Sequence, residues 1–202
     1  MKALGKGSVA ALVEVALTIA WWLLWVALAA VIVGALGYAG ITALIGAGQI
    51  DPNILSGGEG EARIGAADAD YDLTFDNPGG ATWPVVVPAL TIGAVVIVGG
   101  LIIVGRLRRL FHSFTSGEPF RRENAQHLRV IWITMLAMEF ARLAAMLAVA
   151  ALFAAVGLPP GADANFSYNI DVSTWMSIAV LVVLAEVFRE GARLREEQEL
   201  TI

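Results

Sequence analysis

The chain has 202 residues, of which 58% are hydrophobic and only 15% charged, with a mean hydropathy of +0.74. Soluble domains average roughly 45–50% apolar and about 25% charged residues, so this chain has too little polar surface to cover a water-soluble globule. An ordinary cytosolic enzyme, a disordered tail and a nucleic-acid-binding domain are excluded, and an integral membrane protein is left. The absence of cysteine removes disulfides, thiolate metal sites and cysteine nucleophiles.

About 20 predominantly apolar residues cross a bilayer core of roughly 30 Å. On that rule the sequence predicts an all-α integral membrane protein, a single domain of four transmembrane helices at about 8–40, 83–105, 128–157 and 172–190. The first apolar run continues from Ser8 to Gln49 with Glu14 as its one charge. It is far longer than the 7–15 residues of a signal-peptide core. A helix of about 40 residues is about 60 Å long. It therefore protrudes from the membrane or breaks, and Gly34, Gly37, Gly40, Gly46 and Gly48 favour a break on the outer side. Trp21, Trp22 and Trp25 lie mid-span if the helix enters at Ser8. They form either a packing cluster or an interfacial belt with a later point of insertion.

Outer loops are expected at 48–82 and 158–171, a cytoplasmic loop at 106–127 and a tail at 191–202. Segments 71–76 and 166–171 alternate apolar and polar residues, the pattern of a half-buried strand. They are expected to pair as a small β-sheet cap built by the two outer loops. The acidic residues of these loops are read as a solvated face, and Gly57-Gly58-Glu59-Gly60 as a turn.

Eleven of the 13 basic residues fall on one side of this topology: Lys2, Lys6, Arg106, Arg108, Arg109, Arg121, Arg122, Arg129, Arg189, Arg193 and Arg195. The other side holds Arg63 and nine acidic residues. The positive-inside rule then places both termini and the central loop in the cytoplasm.

Ionisable groups near the bilayer centre cost roughly 2.5–3.5 kcal/mol each on insertion scales. Glu139 lies about 15 Å beyond Arg129 along a helix, and Arg142 follows one turn later on the same face. With Glu14 and Glu186 they are expected to gather in the inner half of the bundle. Two readings stay open: a buried site for a proton, cation or cationic ligand, and a structural Glu139–Arg142 pair. No H-E-x-x-H, G-x-S-x-G or Walker loop occurs, so no enzyme, cofactor or metal is expected.

The 106–127 loop carries Arg106, Arg108 and Arg109, then Gly117-x-Pro119-Phe120, Arg121, Arg122 and Asn124. The tail carries Phe188-x-x-Gly191-x-x-Leu194 and closes Glu199-Leu200-Thr201-Ile202. At these residues the chain resembles the bacterial four-span membrane proteins grouped as domain of unknown function family two-nine-seven-five. Members of that family are often encoded beside a small helix-turn-helix regulator. The resemblance therefore implies a cytoplasmic surface for such a regulator, formed by the residues just named, with no DNA contact by the chain itself. The first expectation is a non-enzymatic sensor or anchor. The alternatives are a small transporter or ion pathway, working as an oligomer, and a structural subunit of a membrane complex.

Overall fold

A computed structural model describes residues 9–51, 54–55, 61–64, 71–76, 83–116, 121–156, 164–168 and 171–199. The element order is α1 (Val9–Gly46), β1 (Glu61–Ile64), β2 (Tyr71–Asp76), α2 (Trp83–Thr115), α3 (Arg122–Val156), β3 (Ala164–Tyr168) and α4 (Val172–Glu199). Each of the four helices is long and apolar enough to cross a membrane, and no more than 11% of any spanning window is buried inside the chain. Surfaces that apolar need hydrocarbon as their solvent, so this is a multi-pass membrane protein. Lipid offers the backbone no partner, which favours unbroken helices. The hydroxyls follow the same logic: Thr18, Thr134 and Ser177 each donate to the carbonyl one turn back, all at 2.8 Å.

α1 is continuous over 38 residues, about 57 Å. The break expected among its glycines is absent, because Gly34, Gly37 and Gly40 remain helical. The helix ends instead in a Schellman cap. Gly48 takes a left-handed φ of 71°, its N–H donates to Ile45 and that of Gln49 donates to Leu44, both at 3.0 Å. α2 also runs past its apolar part. Residues 106–115 are helical, and α3 begins at Arg122, so most of the segment read as a loop is helix.

The chain divides into two compact units. The first comprises Met1–Leu28, Val96–Glu139 and Val172–Ile202. Within it α2 and α3 run antiparallel in one register. Ser113 meets Asn124 at one end and Gly99 meets Met138 further along, fourteen residues on in each helix. The Met138 thioether fills the place of the side chain Gly99 lacks, with its Cγ 2.8 Å from where a Cβ would stand. Gly99→Leu should therefore destabilise the protein by roughly 1–3 kcal/mol through overpacking. A thermal-unfolding series in detergent checks this, and Met138→Ala in the same chain should restore most of the loss. A Gly99→Leu midpoint equal to wild type would show that the two helices do not meet there.

The second unit comprises Ala29–Val95 and Phe140–Asp171. It holds a three-stranded antiparallel sheet of order β1-β2-β3. The first alternating segment singled out in the sequence, 71–76, is β2; β3 overlaps the second, 166–171, over residues 166–168 and starts two residues earlier; β1 was not anticipated. The register sets Ile64, Leu73 and Phe166 in one row, and Arg63, Thr74 and Asn165 in the next. Apolar and polar rows thus alternate across all three strands, which is what period-2 patterning produces when register is matched.

Candidate functional site at the arginine-rich end

In the first unit most of the buried apolar residues lie among the arginines, with Ile178 in the apolar part of α4 buried as well. Leu110, Ala125, Leu128, Ile131 and Ala192 are buried, with Leu128 and Ile131 only 2% exposed. Lipid tails are as apolar as leucine, so the hydrophobic effect does little to drive helices together inside the membrane. Where α2, α3 and α4 emerge into water, burying apolar side chains does stabilise, and the core forms there. Asn124, 1% exposed, donates from Nδ2 to the Ser113 hydroxyl. Phe114 packs edge-on against Phe111 at 5.8 Å and stacks on Phe188 at 6.1 Å, tying α2 to α4.

The Arg108 guanidinium lies 4.9 Å over the Trp21 ring, a cation–π contact. Trp21 in turn packs edge-on against Trp22 and Trp25 at 5.3 and 5.9 Å. Trp21 is therefore level with Arg108, near the end of the apolar part of α2. From Trp21 to Gly46 is about 37 Å of helix, enough to span. Residues 9–20 of α1 then protrude among the polar ends of α2.

The four residues expected to gather as a charge cluster are distributed over three helices, α1, α3 and α4. Glu14 lies about 10 Å before Trp21 along α1. Its Oε1 is 3.2 Å from His112 Nδ1, and its Oε2 accepts from the Thr115 hydroxyl at 3.3 Å. Glu186 pairs with Arg189 one turn along α4. The two acids have separate partners and do not meet. Glu139 and Arg142 belong to the apolar part of α3, where Glu139 closes a stretch of the first unit and Arg142 belongs to the second.

The expected partner surface is also sorted by the structure. Asn124 is interior and Phe188 is half-buried against Phe114, so both hold the head together rather than face a partner. Arg106 and Arg108 are half-buried, and Gly191 is too. Arg109, Arg121, Arg122 and Leu194 are exposed. Gly117, Pro119 and Phe120 lie outside the described residues. Ser113, Leu128, His112 and Trp132 were not singled out as site residues from sequence.

His127 sits in the polar first turns of α3, with a buried Nδ1 that has no hydrogen-bond partner among the described residues. Burial lowers its pKa below the ordinary histidine value, Arg106 and Arg109 lower it further, and Glu123 opposes them. A proton is thus bound less well in the folded head than in the unfolded chain. Stability from this group is complete above about pH 6.5 and falls as the pH drops from there toward the lowered pKa. The melting midpoint should decrease between about pH 7 and about pH 5, and His127→Gln should flatten that decrease. An unchanged slope in the variant would remove His127 as the cause.

A groove of about 460 Å³ separates α3 from α4 in this unit, lined by Arg122, Ala125, Gln126, Arg129, Trp132, Val182, Ala185, Glu186 and Arg189. Arg122 approaches Glu196 only to 4.0 Å. Among the described residues Arg129 has no ion-pair partner, and no cluster of three or more metal-ligating side chains occurs.

No curated protein and no solved structure matches the chain. A family described as "Protein of unknown function (DUF2975)" matches residues 75–202, which include all of α2, α3 and α4 and thus most of the arginine-rich head. The chain belongs to this DUF2975 family.

Proposed function

We propose that the chain is a non-enzymatic membrane anchor or sensor whose arginine-rich head holds a small soluble regulator. In this reading that head and both termini face the cytoplasm of a bacterium, as the distribution of arginines favours. The β1–β3 sheet, in the loops joining the other helix ends, faces outward as a cap. The observation that carries the reading is the head itself. α2, α3 and α4 continue beyond their apolar stretches and pack a water-side core of Leu110, Leu128 and Ala192 there. Spanning a bilayer requires none of this. The core presents a ready face: Leu194 is 50% exposed in an otherwise polar helix end, near Arg193 and its carboxylate partners Glu190 and Glu197. An exposed apolar residue ringed by charges is the usual centre of a small interface.

Native mass spectrometry of the protein extracted gently from its own membrane tests this. A retained soluble partner is expected, and Leu194→Glu together with Arg109→Glu should reduce its retention at least about tenfold, as loss of a central contact does. A chain that comes out of its native membrane without such a partner, or retention indifferent to both changes, would sink the reading.

One observation favours a second reading, an ion or proton pathway. Glu139 and Arg142 are half-buried in the apolar part of α3, where ionisable groups are costly unless used. Proteoliposome flux abolished by Glu139→Gln would support that route.

A further inference from the structure

We propose that the α3–α4 groove binds an anionic phospholipid of the leaflet at the arginine-rich face, with the phosphate on Arg129 and Arg189 and an acyl chain along Trp132 and Val182. This goes beyond the docking of a soluble partner and does not depend on it.

The groove's two ends differ in chemistry because α3 and α4 cross the membrane boundary there. On α3, Arg122 and Arg129 precede Trp132. On α4, Val182 and Ala185 precede Glu186 and Arg189. The two helices run in opposite senses, so their basic ends coincide and their apolar ends coincide. The wall is therefore basic toward water and apolar toward hydrocarbon, and a phospholipid has the same polarity along its length.

Charge selects the headgroup. Three arginines face one carboxylate, Glu186, which is occupied by Arg189. A guanidinium carries five donors, so Arg189 keeps donors for a second acceptor after meeting one carboxylate. Arg129 brings a full set with no acid opposed to it among the described residues. Its side chain and those of Arg122 and Arg189 are exposed rather than folded into the core. A net positive groove prefers an anionic headgroup to a zwitterionic one. Forked guanidinium donors suit phosphate oxygens better than a point charge would. Trp132 supplies the amphipathic ring that sits at headgroup level. A soluble protein partner would not reach the Trp132–Val182 end, because that end lies on the hydrocarbon side of the arginines.

The test is native mass spectrometry of the full chain from mixed micelles holding equal phosphatidylglycerol and phosphatidylcholine. Wild type should retain phosphatidylglycerol preferentially. Arg129→Gln should cut that preference about fivefold, the usual contribution of one basic residue near an anionic surface. Ala185→Phe, which keeps every charge but fills the groove, should lower retention as well, and it decides the matter if Arg129→Gln does not fold. Arg109→Gln, outside the groove, should leave lipid retention unchanged while weakening capture of a soluble partner, so the two proposals fail separately. Equal retention of both lipids, or phosphatidylglycerol retention indifferent to Arg129→Gln and Ala185→Phe, overturns the proposal. Displacement of the lipid by millimolar inorganic phosphate would identify a site for the free anion instead, and would overturn it too.

Discussion

Leu128→Ala should lower stability by about 2–5 kcal/mol, the range for truncating a well-packed core leucine, whereas Leu147→Ala should change it by less than about 0.5 kcal/mol. The two leucines lie on the same helix, 2% and 61% exposed respectively. Leu128 sits between His127 and Arg129, where its methyls are withdrawn from water. Leu147 lies in the apolar part of α3, where its methyls exchange chain for lipid and gain little either way. Thermal midpoints of the two variants in the same detergent decide it. A Leu147→Ala loss as large as that of Leu128→Ala would mean that stability resides in the apolar stretches and not in the head.

Asn124→Ala should cost about 1–3 kcal/mol, because a buried amide that donates to a buried hydroxyl is removed without a substitute. Asn124 and Ser113 also stand at the start of α3 and the end of α2, so the loss should be local to that hairpin. Hydrogen exchange should quicken at the amides of residues 108–115 and 122–130 before it quickens elsewhere. Ser113→Ala should cost less, and the double variant less than the sum, since the two share one hydrogen bond. Strict additivity would show that the bond contributes nothing. Neither change should alter the chemistry of a partner surface directly, since Asn124 is interior. Any loss of partner capture in Asn124→Ala should follow the loss of head structure and recover at lower temperature.

The four helices were legible because hydropathy over 20 residues is a bulk property that neighbours barely modify. The pairing of 71–76 with the segment read at 166–171, whose strand is 164–168, was legible for a related reason: alternation is written residue by residue. β1 was missed because Glu61-Ala62-Arg63-Ile64 is too short to show a period. The head core was illegible as such. Leu110, Leu128 and Ala192 stand singly among charged residues, and no window flags them. The partner of Glu14 is His112, 98 residues away, and no local pattern carries that distance.

The sequence by itself therefore determined the class, the number of spans and the sorting of basic residues to one side, each of which depends on composition summed over a segment. Only the tertiary structure decided that Trp21 stands against Arg108, that Asn124 is interior, and that Arg122, Arg129 and Arg189 share one groove. Those three depend on which residues of different helices stand at the same depth. That depth is set by packing in water at the arginine-rich end, where burial and hydrogen bonding discriminate between positions that lipid would treat alike.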